Sequence, residues 1–179
     1  MLARKRVLQI AAVFAAAAVR AQAVTVTLPD TSLTTYVNLS GSTDVATVTV
    51  PATLTFAVHQ VGSASSATAA LSVTAISIAG TNQLKISLNA AAAAFTPPSA
   101  GATTWNAADV SWAAGSWSHG TGSPGTLSSS AYTTVATCSV NALFCNNNAI
   151  AFTLAAKPGV KISGNHTLTM TWKFESIGP

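Results

Sequence analysis

The chain of 179 residues is 49% hydrophobic and only 7% charged, and its formal net charge is +4. Four of the eight basic residues precede position 21, and the four lysines that follow balance the four acidic residues. A neutral chain without clustered Lys and Arg lacks the surface charge that binds nucleic acid or anionic lipid, so the composition excludes both as partners.

The first 23 residues are typical of a secretory signal peptide of the bacterial type. A basic start at residues 4–6 precedes an apolar run from Val7 to Val19, and the segment ends in the small-residue pattern Ala21-Gln22-Ala23. The apolar run is shorter than the ~20 residues that cross a bilayer as a helix. We therefore expect cleavage after Ala23 and a mature domain of residues 24–179 without a membrane span, located in the periplasm, at the cell surface or outside the cell.

The first half of the expected mature domain alternates between apolar residues and Thr or Ser, with breaks at Gly, Pro and Asn. This pattern predicts short β-strands and almost no helix. The predicted strands are VTVTL (24–28), LTTYVNL (33–39), VATVTV (45–50), TLTFAV (53–58), ALSVTAISIAG (70–80) and LKISLN (84–89). GSASS (62–66) is predicted as a loop, and Pro51 indicates an edge or a bulge where it stands.

The second half begins with a long predicted loop over residues 90–108, where the alanines could form a helical turn. Strands follow at DVSWAA (109–114), TLSSSAYTTVATC (126–138), AIAFTLAA (149–156) and residues 167–175, and GSWSHGTGSPG (115–125) is predicted as a loop. With no internal repeat and the length of one domain, the chain predicts a single antiparallel, immunoglobulin-like β-sandwich of roughly eight to ten strands.

The last predicted strand has the clearest pattern in the chain. Its apolar residues all point to one face, and they are Leu168, Met170, Trp172 and Phe174. Each buried side chain of this kind stabilises a fold by about 1.5–3 kcal/mol, so the strand is expected to lie inside the sandwich. Because it comes last, the sheet can close only when the whole chain has been delivered.

Cys138 and Cys145 are the two cysteines of the chain. In an exported protein such a pair forms a disulfide by default, and a loop this short contributes about 2–3 kcal/mol. The alternatives are a redox pair, which usually has two intervening residues instead of the six found here, and half of a zinc site, for which no second pair of ligands lies nearby.

The sequence offers no catalytic set. The three histidines, His59, His119 and His166, are scattered, and no G-x-S-x-G pattern occurs. Asp30 and Asp44 lie in predicted turns, Glu175 lies on an outer strand face, and Asp109 is the only acid between Asp44 and Glu175, so the sequence shows no pair of carboxylates for acid–base chemistry. We therefore expect a protein that is not an enzyme and that uses no cofactor and no metal.

Trp105, Trp112 and Trp117 lie close together in the sequence and allow two interpretations. Exposed aromatic rings stack on sugars, so the three residues could form the contact surface of a secreted carbohydrate- or ligand-binding module. Alternatively they pack in the core and under the long loop, as most tryptophans do.

The order of the segments resembles that of a known group of proteins. These segments are VTVPATLTFAV, LKISLNA, DVSW, AIAFTLAAKP and the closing GNHTLTMTWKF. Together they resemble bacterial exported β-sandwich proteins, above all the pilin-like subunits of alpha-type (class 5) chaperone–usher fimbriae. The chain departs from that family in having His166 where the family has an aromatic residue, and in its cysteine pair and tryptophan loop.

The resemblance implies an immunoglobulin-like fold that lacks one strand and receives it from the next subunit. Val24, Val26 and Leu28 would then be the inserted residues of the donor strand, because alternate side chains enter the pockets. It also implies self-association or assembly with other surface subunits, and a periplasmic chaperone. The expected function is that of an exported structural protein, a subunit of a bacterial surface fibre or another cell-surface assembly; a glycan is the expected partner in the alternative.

Overall fold

The computed structural model describes residues 44–178 in full and, before them, the strand pairing of residues 22–27 and 35–38. Most of the expected leader and Leu28 lie outside the described residues. Within them, the protein is all-β, with two sheets and no α-helix. The strands are β1 (Gln22–Thr27), β2 (Thr35–Asn38), β3 (Val45–Thr49), β4 (Thr53–Val58), β5 (Ser65–Ser77), β6 (Gln83–Ala90), β7 (Val110–Trp112), β8 (Gly120–Gly122), β9 (Gly125–Thr126), β10 (Thr133–Cys138), β11 (Cys145–Leu154) and β12 (His166–Ile177).

The first sheet has the strand order β4-β1-β12-β6-β10-β8, and the second has the order β2-β3-β5-β11-β7-β9. The prediction of an all-β sandwich is confirmed. Three of the described strands, β7, β8 and β9, have three residues or fewer, so the predicted count of eight to ten matches the nine longer strands. One pairing departs from the antiparallel rule, since β1 runs parallel to β12.

The alternation of apolar and polar residues in the sequence corresponds to an alternation of buried and exposed side chains in the structure. Strand β4 is the clearest case, because Leu54, Phe56 and Val58 are buried and the residues between them are exposed. The buried residues of both sheets form one hydrophobic core. Threonine on the outer faces suits a pleated surface because it is β-branched and keeps a hydroxyl in water.

Several boundaries differ from the predicted ones. Strand β5 begins at Ser65, inside the predicted GSASS loop, and the segment predicted as a glycine loop contains β8 and the first residue of β9. The helical turn lies at the end of the alanine-rich segment, as a 3₁₀ turn at Ala107–Asp109, and not at the five alanines. Asn106 and Asp109 hold this turn by a reciprocal capping box.

The disulfide between Cys138 and Cys145 is present, with the two Cα atoms 5.8 Å apart. Cys138 ends β10 in the first sheet and Cys145 begins β11 in the second, so the bond ties the two sheets together at one end of the sandwich. Both cysteines are buried.

Candidate functional site: the slot of the N-terminal strand

The feature most relevant to function is the slot that strand β1 fills in the first sheet. Strand β1 is antiparallel to β4 on one side and parallel to β12 on the other. It makes six register pairs with β4 and four with β12. Among the described strands, β4 has no other partner in this sheet, so β1 alone links β4 to the remaining strands.

The register places two of the predicted donor residues opposite residues of the core. The pairs are Val24 with Phe56 and His166, and Val26 with Leu54 and Leu168, and these four partners are buried. Strand β1 also includes Gln22 and Ala23, which the expected cleavage would remove, so four residues of the strand would then remain.

Beyond Thr169, the edge of β12 that faces the slot has no partner among the described strands. Residues 170–177 pair with β6 on the opposite side over eight register positions. Trp172 and Phe174 of this segment lie on the core side but are only half-buried. Among the residues that the structure describes, the buried indole N–H of Trp172 has no hydrogen-bond acceptor. Within the same part of the chain, β12 is paired on its slot side only at residues 166–169.

His166 closes the core at the start of β12. Its side chain is fully buried, and its ring meets the Trp105 ring edge-on at 5.1 Å between centroids. The Nε2 atom lies 3.3 Å from the Ile162 carbonyl oxygen, which can only accept a hydrogen bond, so Nε2 carries the proton. In the neutral ring, Nδ1 then accepts from the Thr104 hydroxyl at 2.7 Å. This histidine is a hydrogen-bonded core residue.

The three tryptophans do not form one exposed platform. Trp105 and Trp112 are buried, and their indole N–H groups donate to the carbonyl oxygens of Ala155 and Ser123. Trp117 is half-buried and donates to the Ala114 carbonyl oxygen in the glycine-rich segment. The positions of Trp105 and Trp112 therefore agree with the interpretation in which these residues pack in the core, and Trp117 is partly packed.

The acidic side chains whose placement is described each hold a structural contact. The Asp109 carboxylate accepts from Lys157 Nζ at 2.7 Å and from the Asn106 backbone N–H, and Asp44 accepts from the backbone N–H of Ala79. Glu175 lies opposite Lys85 in the ladder and two residues from Lys173. Its carboxylate contacts Lys173 Nζ at 2.6 Å and Lys85 Nζ at 3.1 Å.

These lysines lower the pKa of Glu175. The hydrogen bond from Lys173 has the largest effect on this pKa; burial, which comes next, raises it, and the hydrogen bond from Lys85 and the charges of both lysines lower it further. The carboxylate is therefore held in its ionised form on the outer face of β12, where it supports the sheet.

The other two histidines lie apart from the slot. His59 is exposed after β4, and His119 is exposed with its ring against that of Phe144, 4.3 Å between centroids. Within the part of the chain that the structure describes, no group of three or more His, Cys, Asp or Glu side chains converges on a possible metal position. The described residues also include no helix long and apolar enough to cross a membrane.

Sequence reasoning found the terminal strands of the slot but not their arrangement. The alternation of residues 24–28 and 167–175 is visible in the sequence, whereas the parallel pairing between them depends on contacts more than a hundred positions apart. One feature of the sequence indicated that His166 is buried. It stands two and four residues before Leu168 and Met170, so its side chain lies on the same face of the strand as theirs.

Comparison with protein-family models and with characterised proteins gives no match to this chain. The functional argument therefore depends on the geometry of the slot and on the chemistry of its residues.

Proposed function

We propose that the protein is an exported structural subunit of a bacterial surface fibre, whose copies join by exchanging strand β1. The observation that carries this proposal is the position of β1 as the sole link, among the described strands, between β4 and β12. A terminal strand that occupies such a slot can leave it and be replaced by the same strand of another copy. The register pairs that hold it would then be formed between two molecules.

The proposal is supported by the similar free energies of two arrangements, one with β1 in its own sheet and one with β1 in the sheet of another copy. Exchange of an identical element preserves its contacts, so the cost lies mainly in the hinge and in the lost freedom of the joined chains. After the expected cleavage, residues 24–27 of strand β1 would remain, which makes a short exchanged element. An exchange in which each copy gives its strand to the next copy propagates into a fibre.

The low charge also supports assembly. Residues 45–84 and 110–156 contain no Asp, Glu, Lys or Arg. Molecules with a net charge near zero repel one another weakly, and self-association is correspondingly easy. The leader would deliver the chain to the oxidising compartment in which the disulfide forms.

A cysteine pair placed across the slot tests the proposal. Thr25 and Thr55 lie directly opposite each other in the antiparallel β1–β4 ladder, and opposite Cα atoms in such a ladder are close enough for a disulfide. The variant Thr25→Cys with Thr55→Cys should give covalent multimers on a non-reducing denaturing gel, and these should collapse to monomer on reduction. The native cysteines are bonded to each other and do not take part.

The matched controls are the two single variants, Thr25→Cys and Thr55→Cys. Each alone has no partner cysteine across the slot, whereas their co-expression should give a covalent dimer if β1 passes between copies. If the double variant gives only an internally crosslinked monomer, β1 stays in its own sheet and the fibre proposal is wrong.

A further inference from the structure

Strand β12 has two halves that differ in what lies beside them. Residues 166–169 pair with β1 on the slot side. Residues 170–177 pair with β6 on the other side, and on the slot side they have no strand partner among the residues that the structure describes. We call the slot side of residues 170–177 the open edge. Such an edge presents backbone N–H and C=O groups with which another strand can pair.

The backbone groups that point to the open edge belong to the even-numbered residues of β12. The Thr169 carbonyl oxygen accepts from the N–H of Ala91, which directly follows β6, so Thr169 directs its backbone groups to the β6 side. Successive residues of a strand direct these groups to opposite sides, and the ladder with β6 runs from residue 170 to residue 177 without a shift. The residues whose N–H and C=O groups face the open edge therefore include Trp172, Phe174 and Ser176.

The side chains of this segment differ between its two faces. On the core side, Trp172 and Phe174 are half-buried, and their rings stack with centroids 6.4 Å apart. On the outer face, Lys173 Nζ lies 2.6 Å from the carboxylate of Glu175. One positive and one negative side chain, on either side of Phe174 along the strand, form a pattern that a second copy of the same strand complements.

This charge pattern favours one register for the pairing of two open edges. In an antiparallel pair with its two-fold axis at Phe174, Lys173 of each copy lies opposite Glu175 of the other. Opposite charges in this relation stabilise a ladder, whereas like charges destabilise it. An axis at residue 173 would place two lysines opposite each other, and an axis at residue 175 would place two glutamates opposite each other.

The register centred on Phe174 also suits the backbone and the core side. The even-numbered residues exchange backbone hydrogen bonds, and the Lys173–Glu175 pairs fall at the positions between them, where opposite side chains come closest. Phe174 of one copy lies opposite Phe174 of the other on the core side. Their contact covers part of the aromatic surface that is half-exposed in a single copy.

We infer that two copies of the protein associate edge to edge, by antiparallel pairing of residues 171–177 about a two-fold axis at Phe174. This contact goes beyond the proposed strand exchange and does not depend on it, because β1 pairs with residues 166–169 and the open edge begins at residue 170. A two-fold contact uses the same surface on both copies and closes on itself. It therefore joins two copies, or two fibres, side by side.

A pair of cysteines tests the contact and its register on the full exported chain. Thr171 of one copy lies opposite Ile177 of the other with the Cα atoms about 4.5 Å apart, which permits a disulfide. Within one strand the two positions are roughly 20 Å apart, so no internal bond can form. Thr171→Cys with Ile177→Cys should give a covalent dimer on a non-reducing denaturing gel, and reduction should return it to monomer.

The controls are the two single variants, Thr171→Cys and Ile177→Cys. Neither position lies opposite itself in this register, so each single variant should run as a monomer on the same gel. The native cysteines are bonded to each other and do not take part. No dimer from the double variant, or as much dimer from a single variant, would overturn the inference.

Charge reversal provides an independent test. Lys173→Glu places acidic side chains opposite each other in the contact, and Glu175→Lys places basic ones opposite each other. Each variant alone should associate on the order of tenfold more weakly than the wild type, measured by sedimentation over a concentration series. A mixture of the two variants pairs opposite charges again and should regain the association.

The control for charge reversal is Lys161→Glu, which makes the same change of charge at an exposed position before β12. It should associate as the wild type does. Equal association of Lys173→Glu, Glu175→Lys and their mixture would contradict the edge contact.

The strand-exchange proposal and the edge contact fail in different ways. The cysteine pair at positions 25 and 55 reports only strand exchange, and the pair at positions 171 and 177 reports only the edge contact. Multimers from the first pair without dimers from the second would keep the fibre and remove the edge contact. Dimers from the second pair with an internally bonded monomer from the first would remove strand exchange and keep the edge contact.

Discussion

His166 shows how one side chain joins the slot to the rest of the core. It lies opposite Val24 of β1, contacts Trp105 and holds Thr104 and Ile162 through its two ring nitrogens. A buried ring nitrogen that loses its partner is costly, because it cannot turn to water.

Removal of the hydroxyl that serves His166 should therefore destabilise the fold. We expect Thr104→Val to lower the free energy of unfolding by about 1–2 kcal/mol, measured by urea denaturation. The neighbouring Thr103 is exposed, so Thr103→Val should change it by less than about 0.5 kcal/mol. Equal effects of the two substitutions would show that the buried hydrogen bond does not stabilise the protein.

Gly122 of β8 lies where no side chain fits. A Cβ atom there would overlap the Ala114 carbonyl oxygen and lie 2.8 Å from Trp117 Cδ1. Gly122→Ala should cost about 1–3 kcal/mol of stability through this overlap, as measured by thermal or urea unfolding. Gly62 has no atom within 4 Å of the same position, and Gly62→Ala is the control that should leave stability nearly unchanged. A neutral Gly122→Ala would mean that β8 does not pack as described.

Glu175 makes the stability of the fold depend on pH. Because its folded pKa lies below its ordinary value of 4.5, its ionised form stabilises the folded state above that pH, and this contribution is lost as pH falls through the folded pKa. Glu175→Gln should lower the free energy of unfolding at pH 7 by less than about 1 kcal/mol, since the group is partly exposed. The difference between the two proteins should narrow steadily below about pH 4.5. A difference that stays constant with pH would contradict the ion-pair explanation.

At the scale of elements, the disulfide fixes the junction between β10 and β11. Cys138→Ser with Cys145→Ser should lower the free energy of unfolding by about 2–3 kcal/mol, because the unfolded chain regains the freedom of the loop. As the control, the free energy of unfolding of the wild-type protein in reductant should fall to the same value. Unchanged stability in both would show that the sheets hold this end of the sandwich without the bond.

Strand β12, which has the clearest side-chain alternation in the chain, has a central position in the first sheet. It lies between β1 and β6 and contributes buried Leu168 and Met170. This position agrees with the expectation that a strand with four apolar residues on one face lies inside the sandwich.

The sequence predicted the strands wherever a side-chain pattern marks them. Residues 53–58 match the predicted strand β4 at both ends. Strands β8 and β9 were missed because glycine has no side chain to alternate, and the start of β5 was missed because Ser65 and Ser66 resemble a loop in composition. Pairing was the hardest to predict, since the neighbours of β12 come from distant parts of the chain.

At the scale of the whole molecule, one sheet of the sandwich is joined to its edge strand β4 through β1 alone among the described strands. Under the proposed function, β1 would pass between copies. The molecule has few charges, so association would meet little repulsion.

The most direct test of the central claim is to supply β1 from another molecule. The chain from residue 29 onward, exported behind an unrelated leader, should be less stable or fail to fold alone, because β4 and β12 lose their shared neighbour. A synthetic peptide of residues 22–28 should bind it and restore a cooperative unfolding transition, whereas the same peptide with Val24→Asp and Val26→Asp should not. If the shortened chain unfolds as the full one does and ignores the peptide, the slot is not a binding site for a strand and the account is wrong.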